Sequence, residues 1–221
     1  MTKVLSSAMA VAILLAGCGG KTDANEKNFG VAIAQYLDKK GGLCLNLTRW
    51  PVDVSQMDLR LQSSMPTGAA GQMAALEAAE LARGQETEVQ NNGLDGKPAG
   101  PKFKVKRYVL TDAAKPYERQ KEVRNLALGG TAKETKTDLC WGKEALDKVV
   151  KWEGPMKLGD YQEANVKYQY KIEGLADWAK RPEFLAAFPY IRQVMDDAGR
   201  KELQHGVKLT SVGWEANGMD N

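Results

Sequence analysis

Ala164-Asn165-Val166-Lys167-Tyr168-Gln169-Tyr170-Lys171-Ile172 is the stretch that decides the fold class. Apolar residues alternate with polar ones at strict period two. That is the pattern of a strand with one buried and one wet face. Tyr168 and Tyr170 share the apolar face and read as core. Just upstream, Gly159 and Asp160 supply a turn, and Leu139–Trp152 supplies an earlier strand, although Leu146, Val149 and Val150 also fit a helix. Downstream, Arg181-Pro182 opens a helix carrying Phe184, Phe188, Ile191 and Met195. Pro189 is expected to kink or split it, and Gly199 to end it. Val207 to Trp214 returns as a strand. Helices and strands alternate irregularly with hairpin-scale connections. This predicts an α+β fold with antiparallel sheets and packed helices rather than a doubly wound sheet.

The N-terminal half follows the same grammar. Phe29, Ile33, Tyr36 and Leu37 form one helical stripe, with Asp23 or Asn25 as cap and Gly41-Gly42 as stop. Leu43, Leu45 and Leu47 then alternate as a strand that Pro51 ends or places at an edge. Gly71–Arg83 is rich in helix formers and is predicted to run to Gly84. A polar strand around Glu86–Val89, a loop at Asn91–Pro101 and a strand at Phe103–Leu110 follow. Helix, strand, hairpin tip and strand resembles the end of a winged helix, and Tyr108–Thr111 resembles its last strand. Residues 112–138 read as a linker with a short helix at Tyr117–Leu128. Two lobes are therefore expected, residues 29–128 and 138–218. Leu43-Cys44 before Trp50-Pro51 is echoed by Leu139-Cys140 before Trp152 and Pro155, which raises a duplication as an alternative.

The chain is 221 residues long, 43 % apolar and 27 % charged, with net charge +3. Those values suit a globular protein and place no demand for a nucleic-acid partner. Its first residues differ from the rest. Lys3 gives a positive start, and Val4–Leu15 is too short for a spanning helix, which needs roughly twenty residues. This is the build of a secretory signal. It ends in Leu15-Ala16-Gly17-Cys18, which resembles the lipobox of bacterial lipoproteins. The resemblance implies cleavage after residue 17 by signal peptidase II, a diacylglycerol on the Cys18 sulfur and an acyl chain on its new amino group. Gly19 rather than Asp favours the outer membrane over the inner. Residues 1–17 then form the signal peptide and 18–28 a flexible tether. Several acyl chains anchor stably, so the protein is expected in the cell envelope, facing the periplasm. With Cys18 taken by lipid, Cys44 and Cys140 remain in an oxidising compartment, which predicts a disulfide between them.

Signals for catalysis are sparse. His205 is the only histidine and reads as a loop residue at a strand start. No nucleophile elbow, phosphate loop, dinucleotide fingerprint or calcium loop occurs, and no Cys/His cluster suggests zinc. No cofactor or metal is expected. Glu153 and the pair Asp196-Asp197 are the candidates for a carboxylate-based envelope hydrolase, the alternative function. Lys97, Lys102, Lys104, Lys106 and Arg107 form a basic cluster on the wing. Glu77, Glu80, Glu86 and Glu88 lie beside it, and export places it away from nucleic acid. Aromatic residues crowd the last third. Trp178, in the turn after Gly174, is singled out as an exposed anchor for a partner. The reading is a non-enzymatic, lipid-anchored envelope protein that holds a protein or cell-wall component.

Overall fold

The computed structural model describes residues 20–93, 97–125 and 132–219. The signal segment and the Leu15–Cys18 motif lie outside the described residues. Helices and antiparallel sheets build the chain, with strand outweighing helix, so the α+β class holds. Helix α1 spans Glu26–Lys40. Strands β1 (Gly42–Cys44) and β2 (Val52–Ser55) follow, then helices α2 (Gln56–Leu61) and α3 (Ala69–Ala78). The β3 (Ala82–Asn92) and β4 (Pro98–Leu110) hairpin comes next, then β5 (Glu118–Asn125), β6 (Ala132–Leu158) and β7 (Tyr161–Glu173). Helices α4 (Pro182–Ala187) and α5 (Pro189–Asp197) lead to β8 (Leu203–Thr210) and β9 (Gly213–Ala216). Among the described residues, no helix is long and apolar enough to cross a membrane.

One sheet runs β1-β6-β7-β8-β9, with β5 also paired to β6, and curls into a half barrel. The period-two stretch is the middle of β7, and Ala164, Val166, Tyr168 and Tyr170 are buried. Register shifts interrupt β6 at Leu146/Lys148, Val149/Lys151 and Glu153/Met156. Each such irregularity bends the strand and adds twist, which lets the sheet curl around α1. Phe29, Ala32, Ile33 and Leu37 of α1 fill the hollow with Val207 and Trp214. Asn25 caps the helix, its side chain accepting from the Asn28 N–H at 2.9 Å. Gly41, at φ +86°, ends it.

The second sheet is three-stranded, in the order β2-β4-β3. Helices α2 and α3 connect β2 to β3. Gly71 lets α3 start tightly against the preceding loop, because a Cβ there would lie 2.1 Å from the Pro66 carbonyl oxygen. The core between this sheet and the rest combines Val54, Met73, Leu76 and Tyr108 with Leu139 and Trp141 of β6. Trp178, Phe184, Phe188 and Ile191 complete it.

Several sequence expectations need correction. Helix α3 stops at Ala78, well before Gly84. Glu80 takes a left-handed conformation (φ +62°), and the Leu81 N–H donates to the Leu76 carbonyl at 2.9 Å. This is a Schellman-type ending without its usual glycine. The stretch read as a linker with a helix from Tyr117 is instead a 3-10 turn at Asp112–Tyr117 followed by β5. β5 pairs antiparallel with the first part of β6, so residues 132–137 are strand. Val207–Trp214 is two strands with a turn, not one. The stretch 18–28, expected as a tether, is docked from Gly20 onward: the Asn28 side chain donates to the Gly20 and Asp23 carbonyls at 2.8 and 2.9 Å. Helix α1, drawn in the sequence with the N-terminal lobe, lies on the C-terminal sheet. Pro189 does split its helix, into α4 and α5.

Candidate functional site at the Cys44–Cys140 bridge

β1 is only three residues long, so its place beside β6 needs more than ladder hydrogen bonds. A disulfide supplies it. Cys44 and Cys140 face each other in register and are bonded, with Cα atoms 3.7 Å apart. The expected bridge is present. The alternation Leu43, Leu45, Leu47 does not continue as strand. The Leu45 N–H still donates to the Leu139 carbonyl at 2.9 Å. Asn46 then turns left-handed at φ +60°. The buried Asp138 carboxylate takes over there, accepting from the Asn46 and Leu47 N–H groups, each at 3.1 Å. It also accepts from the Leu139 N–H at 2.8 Å. A buried carboxylate is tolerated where hydrogen-bond donors surround it.

A cleft of about 500 Å³ opens over this bridge, between the end of α1, the start of β5 and α5. Lys40, Arg119 and Lys121 contribute its positive charge, and Asp138, Trp141 and Tyr190 are among its other lining residues. Lys40 is committed to Glu144 of β6 at 2.6 Å. Arg119 is steadied from behind, donating to the Pro116 and Glu118 carbonyls at 3.1 and 2.7 Å. The Tyr190 hydroxyl donates to the Cys44 carbonyl at 3.0 Å and ties α5 to β1. Burial is the main cause that pushes its pKa up, with the Asp138 charge adding to it. The phenol therefore stays protonated and keeps donating. The cleft offers cationic groups and backbone at its mouth, with its inner carboxylate satisfied by the protein. Such a site suits recognition of an anionic or carboxylate-bearing group.

The residues singled out from the sequence fall elsewhere. Trp178 is 5 % exposed, packed between Tyr117 and Phe184 at ring-centroid distances of 5.4 and 4.8 Å. It is a core residue, not an exposed anchor. The turn that carries it is folded back by the Ala176 N–H donating to the Trp141 carbonyl at 2.8 Å. His205 lies within β8, stacked on Tyr36 at 4.0 Å, with Nε2 3.0 Å from the Asn217 carbonyl oxygen. Asp197 is paired with Lys201 at 2.9 Å in the last turn of α5, and Glu153 sits on β6 opposite Asn165 of β7. The wing cluster is partly neutralised. Lys106 pairs with Glu77 at 2.7 Å, and Arg107 makes two hydrogen bonds to Asp53, both 2.7 Å. Among the described residues, no group of three or more His, Cys, Asp or Glu side chains is placed to hold a metal. Sequence reading missed Arg119, Lys121 and Tyr190 as neighbours. They come from segments read as linker and helix, and nothing local brings them to the bridge. No family model, curated protein or solved structure matches the chain.

Proposed function

We propose that this chain is a lipid-anchored bacterial envelope protein, processed at Cys18. It binds a protein or cell-wall partner through the cleft over the Cys44–Cys140 bridge and performs no catalysis itself. The observation that carries the binding role is the cleft, with Arg119 and Lys121 on its rim. The disulfide supports an oxidising compartment. The lipobox resemblance supports the anchor, and Gly19 the outer membrane. The partner surface that fits is an acidic peptide segment or a carboxylate-bearing wall component, because a guanidinium pairs bidentately with carboxylates.

The winged-helix reading belongs to the same proposal. The run β2, α2, α3, β3 and β4, with β4 central in its sheet, follows the order of elements in that family. The ion pairs of Lys106 and Arg107 with Glu77 and Asp53 support a structural use of this wing over a phosphate-binding one.

A photo-crosslinking amino acid at Arg119 or Lys121, introduced into cells with intact envelopes, tests the binding role. The expected result is a discrete adduct from both positions, lost in competition with excess unmodified protein but not with an Arg119→Glu, Lys121→Glu double variant. Adducts no different from those at the remote Met65 would overturn it. Cys18→Ala is expected to leave an unprocessed or soluble product. If this variant matures and fractionates with membranes as before, the anchor is wrong.

A further inference from the structure

The described chain starts at Gly20, and its first turn is seated at one end of the large sheet. The Trp214 indole N–H donates to the Thr22 carbonyl at 3.1 Å. Lys21 lies against Gly213, where a Cβ would come within 3.1 Å of the Lys21 carbonyl oxygen. Strand register locates the neighbours. Glu163 pairs with Lys208 and Thr210 with Gly213, so the β8–β9 turn at Ser211–Val212 lies at this end. Leu158 pairs with Tyr161, so the β6–β7 hairpin tip lies there too.

The apolar residues on this end are unusually exposed. Leu158 is 82 % exposed, Met156 67 %, Val212 67 % and Tyr161 47 %. Val31, from the α1 turn beside Val212, is 50 % exposed. Two hairpin tips and the chain entry thus present one apolar end, while the core-facing residues of the same strands are buried. Cys18 is two residues before Gly20, and consecutive Cα atoms are 3.80 Å apart, so the chain between them can span no more than about 8 Å.

We infer that this end rests on the lipid bilayer, with Leu158, Met156, Tyr161 and Val212 in the headgroup–acyl boundary. The inference rests on the anchor proposed at Cys18. The chain is docked from Gly20 onward, two residues after Cys18, so a lipid on Cys18 leaves it little freedom to turn another face to the membrane. Apolar and aromatic side chains at an interface are favourably placed between headgroups and acyl chains. The orientation has a consequence for the cleft. α1 runs from this end to the bridge and is 15 residues long, about 22 Å at 1.5 Å per residue. The cleft over Cys44–Cys140 is therefore held above the bilayer surface, facing into the aqueous compartment.

The test uses the acylated full-length product in vesicles of phosphatidylethanolamine and phosphatidylglycerol. Leu158→Cys, Val212→Cys and, as a remote control, Met65→Cys are spin-labelled one at a time. With Cys18 carrying lipid and Cys44–Cys140 bonded, each introduced thiol is the reactive one. Collisions with oxygen and with a water-soluble nickel chelate are then compared. The expected result is several-fold less nickel contact at 158 and 212 than at 65, with oxygen contact raised. Equal nickel contact at all three positions in a protein whose mass shows an acylated Cys18 overturns the orientation and leaves the anchor standing. A mass showing an unmodified Cys18 overturns both. All three sites are exposed, so the substitutions are not expected to impair folding.

Discussion

The two sheets are stabilised in different ways. The large sheet closes over α1, and most of its core comes from segments with clear periodicity, the α1 stripe and the alternating face of β7, completed by Val207, Trp214 and Ala216. The small sheet has no such autonomy. Helix α2 buries none of its residues fully, and α3 buries Met73 and Leu76 together with the small Ala70, Gly71 and Ala75. Much of the small sheet's core, including Leu139, Trp141, Trp178, Phe184 and Phe188, is lent by the chain beyond residue 138. The alanines of α3 leave room between Met73, Leu76 and Tyr108 that large rings from the later chain fill to reach native packing density. The small sheet thus shares its core with the later chain rather than standing as a separate lobe. Ile172 and Val194 pack against both cores and join them.

The largest effects should come from the rings on either side. Phe29 is fully buried, with edge contacts to Trp152 and Trp214 at 5.5 and 4.9 Å. Phe184 is its counterpart in the other core. Phe29→Ala and Phe184→Ala should each cost about 3–5 kcal/mol and shift one shared urea transition. Two separated transitions, with each variant moving only one, would break the view that the cores are coupled.

Next in size is the bridge. It joins positions 96 residues apart, and the loop it closes contains the whole small sheet. Cys44→Ser with Cys140→Ser should lower stability by about 2–5 kcal/mol. The urea midpoint of the double variant against the oxidised parent measures it. An unchanged midpoint would mean that packing alone holds the small sheet in place.

Alkaline titration sharpens the description of the large core. Burial pushes Tyr168 and Tyr170 up to about 12, with the Glu144 charge adding to both. An unfolded tyrosine titrates near 10. The folded state keeps both phenols neutral, so their contribution is fully present below about pH 10. It is lost as pH rises through about 12. Ultraviolet absorbance should show these tyrosines ionising late and together with unfolding. Ionisation of every tyrosine near pH 10 with the fold intact would contradict the buried face of β7.

The smallest effect belongs to the small sheet's surface. Hydrogen bonding to Arg107 is the main cause that holds the Asp53 carboxyl below its ordinary range, against a smaller opposing effect of burial. Its contribution is present above the unfolded pKa near 4 and fades as pH falls through the lower folded value. The pair is half-exposed, so Asp53→Asn should cost no more than about 1 kcal/mol. It should also flatten the acid side of the stability profile. A larger loss would show that this edge carries more of the small sheet than its exposure implies.

Much of the fold was legible in residue order. The α1 stripe, the β7 alternation, the hairpin turn at Gly159, the split at Pro189 and the Cys44–Cys140 pairing could be read because each is written in a short window or in a count. The end of α3 could not, since Glu80 adopts a conformation usually reserved for glycine. β5 could not either: Glu118–Asn125 is polar and carries no apolar period, and it is strand because β6 offers it a ladder. Of the candidate site, only the bridge was visible. Arg119, Lys121 and Tyr190 meet it through long-range pairing.

The residue order alone carried the class, the main buried faces and the pairing of Cys44 with Cys140. These depend on periodicity and composition, which act between near neighbours along the chain. Only the tertiary structure decided that Trp178 is core, that α1 belongs to the later sheet and that a cationic cleft forms over the disulfide. Those outcomes depend on which apolar faces find each other across a hundred residues. Burial is a property of the partner surface as much as of the residue, and no local pattern names the partner.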